Sequence, residues 1–252
     1  MSKISLIDML KSGMHFGHST SRWHPKMAPY IFGERGGVHI IDLEKTQEML
    51  DRALEQVKTM TSHGGVLLFV GTKSQAKPLV KNYAEACGMP YVAERWLGGT
   101  LTNFHQIKES IKRFKMLKDQ REKGELRKYT KKEQLMIQWE IEDMEIRLGG
   151  IEHMTKVPDA LFVVDVRRER TAVKEAAVLG IQVLAICDTN VNPDGVRYVI
   201  PANDDSVKTL ELLCKAVSDS VKEGKAQAVT TAAKSVAEKH DSTTEPISTP
   251  AV

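Results

Sequence analysis

Three cysteines in 252 residues are too few, and too scattered, to organise this chain. Cys87, Cys187 and Cys214 are odd in number and form no CxxC pair, which argues against both a disulfide framework and a cysteine zinc site. They read as buried thiols. Long apolar runs are missing as well. Val66 to Val70 and Leu161 to Val164 have the length of strands, far short of the ~20 residues that span a bilayer. The N-terminus has no basic start followed by an apolar stretch and a small-residue cleavage site, so a cytoplasmic protein is expected. Catalytic signatures are absent too. There is no GxSxG elbow, HExxH pair or local Cys-His pattern, and neither a Walker loop nor GxGxxG. These absences point away from an enzyme.

What is present is enough apolar sequence, 41%, to bury a sizeable core, and an uneven distribution of charge. A net charge of +3 says little about partners. From Lys108 to Lys132, however, eleven basic residues face four acidic ones. Glu133, Glu140, Glu142, Asp143 and Glu145 then reverse the sign, which suggests a segment with a basic tip and an acidic base.

Strands and helices alternate through most of the chain, which implies a parallel sheet covered on both faces. Strands are expected at Val38 to Ile41, Val66 to Val70, Tyr91 to Ala93, Ala160 to Asp165, Gln182 to Cys187 and Arg197 to Ile200. Helices are expected near residues 5 to 12, from Leu43 to about Met60, from Ala76 to Cys87, from Thr171 to Leu179, and through Leu210 to Val221. The fold class is α/β, a three-layer Rossmann-like or flavodoxin-like domain. Residues 14 to 37 read as a loop-rich arm, with four glycines and two prolines. Between Tyr91 and Ala160 the alternation stops. A structureless loop of that length is improbable, so an inserted antiparallel helical hairpin is expected. Ile107, Ile111 and Phe114 line its first helix. Thr130 with Glu133 caps the second, and Ile137, Ile141, Met144 and Leu148 continue a 4, 3, 4 seam. The expected organisation is a globular domain over 1–104 and 151–223, a hairpin over 105–150 and a disordered tail over 224–252.

RNA contact asks for cations, planar side chains and close-approaching backbone. Two loops combine them, one carrying Arg22, Trp23, His24 and Lys26, the other Arg95, Trp96 and Asn103. Arg35, Lys73 and the hairpin residues Lys128, Lys131 and Lys132 complete the candidate RNA-binding set. Trp23 and Trp96 are equally readable as core anchors. Gly71-Thr72-Lys73 after a strand offers N–H groups to a phosphate, so a nucleotide- or phosphometabolite-binding enzyme is the alternative function. His18, Asp188, Asp204 and Asp205 are candidate ligands for a structural divalent cation. Histidines contacting RNA and aspartates capping turns are the competing reading of those four residues, and the weightier one.

Several blocks, in order, resemble the bacterial small ribosomal subunit protein two family: His15-Phe16-Gly17-His18, Arg22-Trp23-His24-Pro25-Lys26-Met27, Arg95-Trp96-Leu97-Gly98-Gly99-Thr100, Pro158 to Asp165, and Ile200-Pro201-Ala202-Asn203-Asp204-Asp205. The likeness runs from about residue 4 to 222. His24 and Ala202 depart from it, standing where the family usually has Asn and Gly. The resemblance implies a non-catalytic protein of the small ribosomal subunit with a coiled-coil hairpin, bound to small-subunit rRNA and to other small-subunit proteins. It further implies help in anchoring the mRNA-binding small-subunit protein one. No membrane, cofactor or small-molecule substrate is implied.

Overall fold

Five parallel strands make the centre of the protein, in the order β5-β4-β6-β7-β8: β4 (Leu67–Val70), β5 (Tyr91–Val92), β6 (Ala160–Val164), β7 (Gln182–Cys187) and β8 (Tyr198–Pro201). The computed structural model describes residues 4–241. Taken in chain order, the strands lie 2-1-3-4-5, the flavodoxin-like winding. Alternate residues of the strands feed two cores, as a parallel sheet buried on both faces requires. Leu67, Phe69, Phe162, Leu184 and Ile200 point to one. Leu68, Val70, Leu161, Val163, Val183 and Val199 point to the other. Phe69 and Phe162 meet edge to face at 5.4 Å across neighbouring strands, a pairing of about 0.5–1.5 kcal/mol beyond its buried area.

The first core is covered by α2 (Leu43–Ser62), α3 (Lys77–Cys87) and α7 (Val207–Asp241), with α1 (Leu6–Ser12) at its margin. The second is covered by α6 (Arg170–Leu179) and by the root of the hairpin, through Ile107, Ile111, Leu148 and Ile151. The hairpin itself is α4 (Phe104–Glu122) and α5 (Lys131–Leu148), joined by a short 3-10 turn at Glu125–Lys128. Thr130 and Glu133 form the expected reciprocal cap of α5. Beyond the root, Phe114, Leu117 and Ile141 make a separate small core between the two helices. Arg113 and Lys118 on α4 pair with Glu140 and Glu145 on α5, at 2.6 and 3.5 Å, so the acidic base neutralises part of the basic excess within the hairpin.

Two expectations need correction. The loop-rich arm is an antiparallel sheet in the order β1-β3-β2, made of β1 (Phe16–Ser19), β2 (Ile31–Arg35) and β3 (Val38–Ile41). Only β3 was legible, because β1 and β2 are short, half-buried and interrupted by glycine. The second concerns the tail expected to be disordered from 224 onward; α7 runs through its first part to Asp241, and Gly224 lies within that helix. A Cβ there would overlap Thr61 Oγ1 and sit 2.5 Å from the Lys58 carbonyl oxygen, so the glycine permits close contact of α7 with α2 rather than a break. The remainder of the expected tail, 242–252, lies outside the described residues. All three cysteines are buried, and burial pushes the Cys214 thiol up to about 12.

Candidate nucleic-acid interface and cation cluster

In doubly wound sheets ligands gather beyond the strand C-termini, at the point where the winding reverses, which here lies between β4 and β6. The chain fills that crevice with its own groups. Glu169, 3% exposed, accepts from the Thr72 N–H at 3.0 Å and from the Thr72 hydroxyl, the donors a phosphate would need. Arg168 Nε donates to the same hydroxyl at 2.8 Å. Burial raises the Glu169 pKa. Asp165, at the end of β6, adopts a left-handed φ of 63° and accepts from Arg168 N. Lys73 turns to Asp204 at 2.7 Å and Asp205 at 2.6 Å. Burial opposes its charge, but the two carboxylates outweigh that and raise its pKa.

The arm closes over the same edge. His24 N donates to the Thr189 carbonyl at 2.8 Å, and His18 N to the Thr189 hydroxyl at 2.9 Å. A Cβ on Gly17 would lie 2.6 Å from Thr189 Cγ2, so β1 could not approach so closely with any other residue. This docking brings His18, Asp188 and Asp204 together, with one ligand atom of each within 4.8 Å of the others. His18 Nδ1 is 3.1 Å from Asp188 Oδ1, yet it is buried without an aligned hydrogen bond. Asp205 Oδ2 is 3.5 Å from His18 Nε2. Asp188 is fully buried, and Asp204 is 2% exposed. Burial, then Asp188 and Asp165, push the Asp204 carboxyl up to about 6. The Asp188 carboxylate foremost raises the pKa of His18. One imidazole and two carboxylates suit a borderline divalent cation such as zinc or manganese.

The candidate RNA residues divide into three groups. Arg22, Trp23, Lys26, Arg35, Arg95, Asn103, Lys128, Lys131 and Lys132 are exposed. Trp23 is 41% exposed, with its ring 5.5 Å from that of His39. His24 is half-buried and caps the turn after it, Nδ1 accepting from Lys26 N at 3.2 Å. Lys26 pairs with Asp194, and Lys128 lies 5.3 Å from the Tyr129 ring centre. Trp96 and Lys73 belong to the interior. Trp96 is 8% exposed and packs in the second core, so it anchors its loop rather than stacking on a base. Lys73 spends its charge on Asp204 and Asp205.

What holds the Trp96 loop in place is Glu175 on α6, which sequence reasoning missed. Its Oε1 accepts from Trp96 Nε1 at 3.0 Å and Gly99 N at 2.9 Å. Its Oε2 accepts from Leu101 N at 3.0 Å and from Thr102 N and Oγ1 at 3.3 Å. Burial works against the carboxylate, yet the Trp96 indole and the backbone donors lower its pKa. The one available signal was an acid in the middle of an apolar helix pattern, Ala172-Val173-Lys174-Glu175-Ala176. Glu175 folds the loop around itself and leaves Arg95, Gly98, Thr102 and Asn103 facing outward.

The crevice of this α/β fold is thus occupied by the chain's own groups, and exposed cations lie instead on the arm, the loop and the hairpin. A family model described as "Ribosomal protein S2" matches residues 9–224. A protein of Chloroherpeton thalassium is 52% identical over 88% of this chain and 88% of its own length. One of Chlorobaculum parvum is 50% identical over 89% and 90%, and one of Chlorobium phaeovibrioides 51% over 88% and 86%. Each is named "Small ribosomal subunit protein uS2". The chain belongs to the ribosomal protein S2 family, and it is a structural protein of the small subunit of the cytoplasmic ribosome, not an enzyme.

Proposed function

We propose that this protein binds small-subunit rRNA through two surfaces and thereby helps anchor the mRNA-binding small-subunit protein one, in support of translation initiation. The first surface combines Arg22, Trp23, His24, Lys26 and Arg35 on the arm with Arg95 and Asn103 on the neighbouring loop. The second is the hairpin tip, with Lys128, Lys131 and Lys132. The observation that carries the reading is that the cations of the first surface and Trp23 are exposed on segments pinned from within, by Thr189 under the arm and Glu175 under the loop. Prepinned loops lose less conformational freedom when they meet a phosphate or an unstacked base. Docking of protein one is supported by the motif resemblance.

Ultraviolet cross-linking of intact small subunits tests the arm. Trp23 and the Arg22–Lys26 peptide should be recovered with attached ribonucleotide. Recovery of nucleotide on other peptides, with none on this segment or on Arg95–Asn103, would refute the reading.

A structural divalent cation held by His18, Asp188 and Asp204 is the second proposal, favoured by their convergence and by the unaligned His18 Nδ1. Bound there, it would tie the arm to the ends of β7 and β8. Metal-free protein titrated with zinc in a calorimeter should show one site, lost in Asp204→Asn. Equal heats from both proteins would remove the site.

A further inference from the structure

The second helix of the hairpin is apolar on two opposite sides. Ile137, Ile141, Met144 and Leu148 face α4 and the domain core. At ~100° per residue, Leu135, Trp139 and Ile146 fall on the opposite side of α5. They are 45%, 59% and 62% exposed, and Met136 beside them is 57% exposed. A helix with one apolar stripe is complete once that stripe is buried, whereas a second stripe marks a second packing surface. Scattered exposed apolar residues mean little, but these form one line about 16 Å long on a rigid element.

The charges on that line say what kind of partner fits. Glu140 and Glu145 turn toward α4, where Arg113 and Lys118 pair with them. Glu142 and Asp143 flank the outer stripe instead. Glu142 accepts from the neutral amide of Gln138 at 3.0 Å, and Asp143 pairs with Arg147, both partners half exposed. A phosphate backbone approaching Trp139 would meet two carboxylates. A second copy of α5 running parallel would bring Glu142 and Asp143 against their own counterparts. A protein helix with apolar residues at i and i+4, flanked by Lys or Arg, satisfies both the stripe and its carboxylates.

We propose that the outer face of α5, centred on Trp139 and bordered by Glu142 and Asp143, docks a basic amphipathic helix of another protein of the small subunit. Residence in the small subunit is the one premise. The proposal does not depend on RNA contact at the hairpin tip, so either can fail alone. It gives the hairpin two ends of different use, a basic tip for nucleic acid and an acidic, apolar flank for protein.

The test uses the full chain in intact small subunits, with p-benzoyl-phenylalanine placed at position 139. As a control, the same probe is placed at Val178, 76% exposed on α6. The expected product at 139 is sensitive to protease and resistant to ribonuclease, and its partner peptide carries net positive charge. A second variant, Glu142→Lys with Asp143→Lys, leaves the inner seam intact and should cut that yield several-fold, with helix content unchanged by circular dichroism. An adduct with rRNA, an adduct with a second copy, or a yield no higher than at position 178 would overturn the proposal. So would a yield unchanged by the double charge reversal.

Discussion

Glu175 shows how much of a surface loop can hang on one buried group. Five donors converge on its two oxygens, and an ionised acceptor strengthens each bond about two-fold over a neutral one. Glu175→Ala strands those donors in a site that is 8% exposed, so a loss of about 3 kcal/mol is expected from unsatisfied buried groups. Urea unfolding measures it, and a loss under 1 kcal/mol would show that water replaces the carboxylate. Glu175→Gln should be intermediate, because its amide turns one donor toward the N–H groups of Leu101 and Thr102. The pH dependence has a definite sign. The folded protein holds Glu175 ionised below the ordinary value of 4.5, so the unfolded chain takes up the proton first as pH falls. Its contribution is complete above about pH 4.5 and is lost as pH falls through the lower folded value. Urea midpoints measured from pH 6 to pH 3 should fall less steeply in Glu175→Ala than in the parent.

At the level of elements, the sheet was legible and its packing was not. Fully apolar runs such as Val66 to Val70 announce central parallel strands, and Thr130 and Gly180 mark helix ends by known stereochemistry. The arm hid its strands because Gly17-His18-Ser19 carries no apolar alternation; its order comes from Thr189, distant in sequence. The start of the tail misled for a related reason, since its Ala-, Thr- and Lys-rich composition does not report that Gly224 lets α7 pack closely on α2. Gly224→Ala should therefore destabilise, by roughly 1–3 kcal/mol of overpacking against Thr61 and Lys58, even though alanine is the better helix former. Thermal unfolding decides between the two effects, and a raised midpoint would mean that α7 moves away freely. The hairpin predicts a different behaviour. Phe114 is fully buried in a small core separate from the two that sandwich the sheet. Phe114→Ala should remove about 3–5 kcal/mol there, enough to open the outer half of the hairpin while the sheet stays folded. Amide exchange would then speed up around Ile137 and Ile141 but not in β6. Uniform acceleration would make hairpin and domain one cooperative unit.

For the molecule as a whole, charge position matters more than net charge. Carboxylates that recognise nothing by themselves, such as Asp204, Asp205, Glu140 and Glu145, decide which cations are neutralised within the fold, and no one-dimensional pattern reports that. Lys73 and Arg22 looked alike in sequence; one lies between Asp204 and Asp205, the other faces solvent. The hairpin makes the same distinction. Arg113 and Lys118 are paired across the two helices, whereas Lys128, Lys131 and Lys132 stand at the far end, roughly 28 Å along α4 from its root. If that tip neutralises rRNA phosphates, binding releases counterions, and affinity falls with salt by about 0.7–0.9 log units per decade for each phosphate contacted. Reversing Lys128, Lys131 and Lys132 to Glu should then weaken association with small subunits depleted of this protein and flatten the salt slope by about two units. Reversing the internally paired Arg113 alone should lower stability more than it changes the slope. The measurement is binding of the full chain across a salt series from low to physiological ionic strength. A triple variant that binds more weakly with an unchanged slope would place the tip against protein, and one that binds as the parent does would place it in solvent.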